Sequence, residues 1–305
     1  MSQSILRIGT RGSRLARAQA EWVAAMMAAR GERFEIVPIK TTGDRILDRP
    51  LADAGGKGLF TKEIEDALLA GRIDIAVHSM KDLPTGLPPG LKLAAILPRE
   101  NPADVLVSAV PLEQLARAAR VGTSSVRRKA QILRARPDAD CVILRGNVDT
   151  RLAKFDSGAM DAVVLALAGL RRLGLDARAR YILPTDEWLP SLGQGAIGIE
   201  IREQDATIAA AVAPLDHAPS SIAVSCERAF QAALDGSCRT PIAGLATIDS
   251  GTLIFRGEVL APDGSDAAQT AFRLGLGNNA KAEAAAAGRQ AGENLRPRAT
   301  RWLLT

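Results

Sequence analysis

The first hundred residues switch between two hydrophobic periods. ILRIGT (5–10), FEIVPIK (34–40) and IDIAVHS (73–79) are short Ile- and Val-rich runs that predict buried strands. Between them, SRLARAQAEWVAAMMAARG (13–31) and TKEIEDALLAG (61–71) space their apolar residues for one face of a helix, and each closes on a glycine. Alternation of this kind predicts a mostly parallel sheet. The pattern breaks at PTGLPPG and at a Pro-rich crossing over 98–102. It then resumes with ADVLVSA (103–109), a short helix and ARVG (119–122). A helix from about 125 to 136, CVILRG (141–146), a helix from about 147 and DAVVLALAG (161–169) complete a second α/β domain. LPSLGQGAIGIEIR (189–202) is a further crossing, and its strand is expected to return to the first sheet. The chain therefore reads as a discontinuous domain 1 over 1–98 and 195–215, and a domain 2 over 102–190. From 218 onward the pattern changes class. A helix at about 219–234, three strand-like runs and an Ala-rich helix at 279–294 predict a small C-terminal α+β domain over 218–305. No repeat of fixed period occurs, and the two α/β halves echo one another in architecture alone.

Composition narrows the function classes. With 47% hydrophobic and 24% charged residues, 305 residues can build two or three ordinary cores. The net charge is +5 and most of the cations are arginine, which suits fixed contacts with carboxylates or phosphates. Aromatics make up 3%, too few for base-stacking platforms, so no nucleic-acid partner is expected. No run of about 18 apolar residues is present, so no membrane span is expected. The N-terminus shows no basic region followed by an apolar core, which predicts no secretory signal. Cys141, Cys226 and Cys238 lie far apart without CxxC spacing, and His78 and His217 lack a paired ligand spacing. Neither a disulfide framework nor a metal site is expected, and a reducing cytoplasm fits best.

Candidate chemistry collects where a parallel sheet binds ligands, at the carboxyl ends of strands. GTRGS places Arg11 and Ser13 after the first strand, and HSMKD places Ser79, Lys81 and Asp82 after the third. GTSSVRR supplies Thr123, Ser124, Arg127 and Arg128, LRGNVDTR supplies Arg145 and Arg151, and AGLRRLG places Arg171 and Arg172 at the next strand end. Singly, each arginine reads as a solvated charge. As a set, cations near helix N-termini oppose the helix dipole unless an anion joins them, which points to a polyanionic ligand. Asp82 reads equally well as a turn residue before Leu83-Pro84. GTRG lacks the GxGxxG spacing, and GGKGLF (55–60) is not a phosphate-binding Walker loop. The Gly-rich segment 41–58 is an ordered lid or a disordered loop with equal weight. In DGSCRTP (235–241), Cys238 stands on a loop beside a guanidinium, a setting that favours thiolate, although a bland loop cysteine has the same look.

VHSMKDLP, GTSSVRR, LRGNVDTRL, LALAGLRRLGL, LGQGAIGIE and ERAFQAALDGSCRTPIA together resemble the porphobilinogen deaminase (hydroxymethylbilane synthase) family, collinearly over the whole chain. The resemblance implies a transferase. It would join four porphobilinogen units head to tail, release four ammonia, and yield hydroxymethylbilane, the precursor of haem and other tetrapyrroles. It implies two mostly parallel α/β domains like type 2 periplasmic binding proteins, a C-terminal α+β domain and a monomer. It also implies a dipyrromethane cofactor bound as a thioether to Cys238, with no metal. Asp82 matches the catalytic position. Arg11, Ser13, Lys81, Thr123, Ser124, Ser125, Arg127, Arg128, Arg145, Arg151 and Arg172 match positions that bind the carboxylates of cofactor or substrate. Lys57, Phe60, Ser79 and Gln194 are further candidates. Asn101 stands where many members carry aspartate, and we expect it to be structural. The main rival reading is a non-enzymatic polycarboxylate-binding module built like a periplasmic binding protein, against which the Cys238 loop counts; a nucleic-acid binder fails on aromatic content and on arginines spread over strand ends instead of one helix face.

Overall fold

The computed structural model describes residues 5–45, 58–234 and 240–303. The chain forms two compact units, Met1–Glu100 with Ala196–Ser221, and Asn101–Gly195 with Ile222–Thr305. In the first unit, β1 (Leu6–Arg11), α1 (Arg14–Ala28), β2 (Phe34–Ile39), the single turn α2 (Thr42–Arg45), α3 (Lys62–Leu69), β3 (Ile75–Ser79) and β4 (Leu91–Ile96) follow in order. The second unit continues with β5 (Asp104–Ser108), β6 (Arg120–Gly122), α4 (Val126–Ala135), β7 (Asp140–Val142), α5 (Val148–Asp156), β8 (Ala162–Ala166), α6 (Leu167–Arg172) and β9 (Tyr181–Ile182). Then come β10 (Ile197–Arg202), α7 (Ala206–Val212), α8 (Ala218–Ala233), β11 (Ile242–Asp249), β12 (Thr252–Leu260), β13 (Ala267–Gly275) and α9 (Ala280–Ala299).

The first sheet has the order β2-β1-β3-β10-β4 and the second β7-β6-β8-β5-β9. In each, three neighbouring strands run parallel and one strand is reversed: β10 in the first sheet and β5 in the second. Each reversed strand follows one of the proline-bearing crossings. The period-2 pattern sends alternate residues to opposite faces. In the first sheet Leu6, Ile8, Ile75, Val77 and Ile199 pack with Val23 and Met27 of α1, while Ala76 packs with Ile64 and Leu68 of α3. In the second, Leu106, Val121 and Val164 meet Ile132 of α4, and Val105, Val107 and Val163 meet Leu152 and Leu170 of α5 and α6. The third sheet is the antiparallel meander β11-β12-β13. Phe230 of α8 meets Phe255 of β12 edge to face with ring centres 4.9 Å apart.

Some elements escaped the sequence pattern, among them α2, which falls in the segment read as a Gly-rich loop. β4 lies in LKLAAI, between two proline-bearing stretches that read as an uninterrupted break, and β9 and α7 are short. CVILRG gives a strand that ends early, at Val142. DAVVLALAG divides at Ala166, where strand β8 passes directly into α6. Arg171 and Arg172 therefore sit in the last turn of a helix and not at a strand end, as the sequence suggested. There their charges complement the helix dipole instead of opposing it.

Two glycines of α9, Gly288 and Gly292, set how closely it meets the α8 backbone. A Cβ on Gly288 would stand 2.2 Å from the carbonyl oxygen of Cys226, a backbone atom that cannot rotate away. Gly288→Ala gains about 1 kcal/mol of helix propensity, but overpacking of this kind costs about 1–3 kcal/mol. The expected outcome is a lower denaturant midpoint, and a rise in stability would contradict the contact.

Candidate active site

The first unit gathers polar groups at the carboxyl end of its sheet. β1 delivers Arg11, and Ser13 caps α1 two residues later, its Oγ accepting the Ala16 N–H at 3.3 Å. β3 delivers Ser79, and the turn Met80–Asp82 that follows carries Lys81 and Asp82. The Arg11 guanidinium pairs with Asp44 of α2, and the Thr41 hydroxyl donates to the same carboxylate at 2.7 Å. Burial pushes the Asp44 carboxyl up, but the hydrogen bonds from Arg11 and Thr41 outweigh it and hold the group below the usual carboxylate range. The Phe60 ring lies 4.0 Å from the Arg11 guanidinium carbon. It fits there because residue 43 is glycine, where a Cβ would stand 2.3 Å from the ring. Buried Gln19 of α1 exchanges hydrogen bonds with the Ser79 hydroxyl at 2.9–3.0 Å. Arg11, Ser13, Gln19, Phe60, Thr61, His78, Ser79 and Asp82 all line one pocket.

The second unit presents a buried charge cluster at the start of α4. Ser125 caps the helix by accepting the Arg128 N–H at 3.3 Å, and Thr123 Oγ1 accepts the Ser125 N–H at 3.1 Å. Ser124 donates its hydroxyl to the Leu144 carbonyl. These three hydroxyls shape the turn that puts Arg127 and Arg128 in the first turn of the helix. Both arginines are buried, at 4% and 5% exposure, and both converge on fully buried Asp104 of β5. Arg127 Nη1 reaches Oδ2 at 2.5 Å, and Arg128 Nη2 reaches Oδ1 at 2.7 Å. Gln194 Nε2 and Trp188 Nε1 donate to the same carboxylate at 2.8 and 3.2 Å. Burial raises the Asp104 carboxyl, but the two guanidinium charges pull it far below the ordinary range. Gln194 is placed by a turn whose Gly193 N–H donates to Glu227 at 2.6 Å.

Two guanidinium groups meet at one carboxylate here, and buried Glu258, paired with Arg134, attracts Arg127 from farther away. The Nε atoms of Arg127 and Arg128 are also buried without a hydrogen-bond partner. Arg151 donates from Nε to the Gly146 carbonyl at 2.9 Å, and Arg172 from Nη2 to the Gly195 carbonyl at 2.6 Å. Arg145 follows β7 and is half-buried. The first unit thus sets guanidinium and hydroxyl groups beside the Asp44 and Asp82 carboxylates, and the second, by itself, holds two guanidinium Nε donors without a partner.

Cys238 and Lys57 lie outside the described residues. Of the other cysteines, burial and neighbouring Glu227 push the Cys226 thiol far up, and burial raises Cys141. Neither has the character of a nucleophile. Among the described residues no group of three His, Cys, Asp or Glu side chains could hold a metal ion. The sequence reading missed Asp104, Asp44 and Gln19. Asp104 had one signal, as the single charge opening the apolar run ADVLVSA.

Removing the Asp104 charge leaves two buried guanidinium groups uncompensated, a change that costs about 3–5 kcal/mol. Asp104→Asn should lose stability on that scale in denaturant titrations. The depressed carboxyl contributes its full stabilisation above the unfolded value near pH ~4. That contribution is lost as pH falls through the folded value. The unsubstituted protein should therefore lose stability in acid more steeply than Asp104→Asn, and parallel acid profiles would contradict the pairing.

The comparisons with known proteins agree across the chain. The family described as "Porphobilinogen deaminase, dipyromethane cofactor binding domain" matches residues 6–210, and "Porphobilinogen deaminase, C-terminal domain" matches 221–296. The porphobilinogen deaminase of Paracoccus denitrificans is 52% identical over 303 residues, covering 97% of this chain and 95% of the relative. That of Nitrobacter hamburgensis is 51% identical over 298 residues, covering 96% and 93%. Among solved structures, the periplasmic VFT2 domain of Bordetella pertussis BvgS is 14% identical with a TM-score of 0.43, covering 68% of this chain and 85% of that one. With family matches over nearly all of its length and curated relatives at half identity, the chain belongs to the porphobilinogen deaminase family.

Proposed function

We propose that this chain is a hydroxymethylbilane synthase. It condenses four porphobilinogen molecules head to tail, releases four ammonia and frees hydroxymethylbilane by hydrolysis. The observation that carries the reading is the pocket in which Asp82 shares a wall with Arg11 and Ser13. A carboxylate among carboxylate-binding groups suits a substrate that is acidic on its arms and turns cationic at its ring. A dipyrromethane on Cys238 supplies, when bound, the pyrrole carbon from which the chain grows. The other two cysteines are held as thiols by burial, which leaves Cys238 for this task.

The residues divide the work by charge. Each substrate brings an acetate and a propionate, and Arg11, Arg127, Arg128, Arg145, Arg151 and Arg172 meet these with forked donors. Ser13, Lys81, Thr123, Ser124 and Ser125 add hydroxyl, ammonium and backbone donors at the same strand ends, and Lys57, Phe60, Ser79 and Gln194 support them. Loss of ammonia leaves a cationic methylene conjugated with the pyrrole N–H. The Asp82 carboxylate accepts that N–H and stabilises the charge as it develops. A polycarboxylate-binding module without chemistry would leave both Asp82 and Cys238 without a task. No helix among the described residues is long and apolar enough to cross a membrane. A cytoplasmic monomer is what the family resemblance implies, and we propose it here.

Cys238→Ser should yield protein that lacks a dipyrromethane adduct by intact mass, whereas Cys141→Ser and Cys226→Ser keep it. An adduct retained in Cys238→Ser would move the attachment elsewhere. Asp82→Asn, loaded with preformed hydroxymethylbilane, should keep its adduct yet lose about 10²-fold or more in kcat. Asp82→Glu should retain part of the activity. Near-normal elongation by loaded Asp82→Asn would make the carboxylate structural.

A further inference from the structure

The pocket wall contains a titratable side chain that the preceding scheme does not use. His78, next to last in β3, lines the same pocket as Asp82. Its Nε2 lies 3.0 Å from Oε2 of Glu200 on β10. The two are diagonal neighbours across the antiparallel pair, since His78 stands opposite Gly198 and Ala76 opposite Glu200. Their side chains are 4% and 0% exposed. The imidazole is the hydrogen-bond partner of Glu200 Oε2 among the described residues, and the second carboxylate oxygen, Oε1, has no hydrogen-bond partner. The surrounding face is apolar, with Ala76, Ile64 and Leu68 packed between sheet and α3. One further acid is close by. Burial, and then the neighbouring Glu200, push the Glu65 carboxyl above its usual range. Of the two acids, Glu200 is the one whose carboxyl oxygen reaches the ring nitrogen.

A staple between two strands would be served as well by apolar residues, because burying ions is costly. A carboxylate against one ring nitrogen does something an apolar pair cannot: it selects the tautomer. With the Nε2–H donating to Glu200, Nδ1 keeps its lone pair, and Nδ1 has no hydrogen-bond partner among the described residues.

We infer that His78 accepts the proton released when each new carbon–carbon bond forms, and that Glu200 is its positioning residue. The inference rests on the function proposed above. In that step the unsubstituted ring carbon bonds to the cationic methylene, the ring C–H bond breaks, and its electron pair restores the aromatic ring. The proton passes to Nδ1, and Glu200 stabilises the imidazolium that results. The proton then leaves to the ammonia set free when the aminomethyl C–N bond broke, giving ammonium and restoring neutral imidazole for the next cycle. Asp82 keeps the separate task of holding the pyrrole N–H.

The test uses the full-length protein, loaded with hydroxymethylbilane and checked by mass. If the unsubstituted protein neither loads nor elongates, the proposed function fails. If it does both, the variants address His78. The protein is loaded with hydroxymethylbilane deuterated at its unsubstituted ring carbon, the carbon that attacks the next unit, and addition of porphobilinogen is followed in single turnovers. His78→Gln should load normally, keep KM near that of the unsubstituted protein, and elongate about 10²-fold more slowly. Deuterium should slow the variant more than the unsubstituted protein, because removal of the ring proton becomes limiting. Glu200→Gln should show the same isotope signature with a smaller loss of rate. A second measurement needs no change at the site. The chain has two histidines, so ¹⁵N spectra of His217→Asn report the His78 ring alone, with hydrogen expected on Nε2. Unimpaired elongation by His78→Gln with an unchanged isotope effect, or a ring carrying its hydrogen on Nδ1, overturns the inference.

Discussion

The carboxylate of Asp104 sets the terms for the second unit. It accepts from Arg127, Arg128, Gln194 and Trp188, which belong to the first turn of α4 and to the crossing that leads back toward β10. Without it, two cations would stand buried at the positive end of a helix. With it, they are fixed in place. A ligand carboxylate then meets guanidinium groups whose ordering cost was met when the chain folded. Arg11 and Asp44 repeat the device in the first unit, in a more exposed and therefore weaker form.

The sheets explain why these groups stand where they do. Each unit runs three neighbouring strands in one direction, so the turns after β1, β3 and β6 fall at carboxyl edges where helices begin. Ser13 and Ser125 are capping residues by structure, which ties the placement of Arg11, Arg127 and Arg128 to helix initiation. Substituting a cap would therefore disturb the ligand-binding donors as well as local stability.

The strand–helix alternation was legible because hydrophobic period is a local property. β4 was not, since its apolar run is short and proline stretches lie on both sides. The strand-end arginines were legible one at a time, but their partners were not. Arg127 and Asp104 are 23 residues apart, and His78 and Glu200 are 122 apart. No local spacing encodes such pairs; they exist because β5 and β10 enter their sheets reversed. Arg171 and Arg172 were misplaced for a related reason. A strand that passes into a helix with no intervening loop shows no break in its run of Leu and Ala.

The claim on which the chemistry depends is that the product chain grows while attached to this protein. Intact mass before and after addition of limiting porphobilinogen tests it most directly. The purified protein should carry a covalent adduct equal to two pyrrole units, and substrate should shift the mass upward in steps of one unit each. A bare polypeptide mass that stays unchanged by substrate while hydroxymethylbilane accumulates would contradict it.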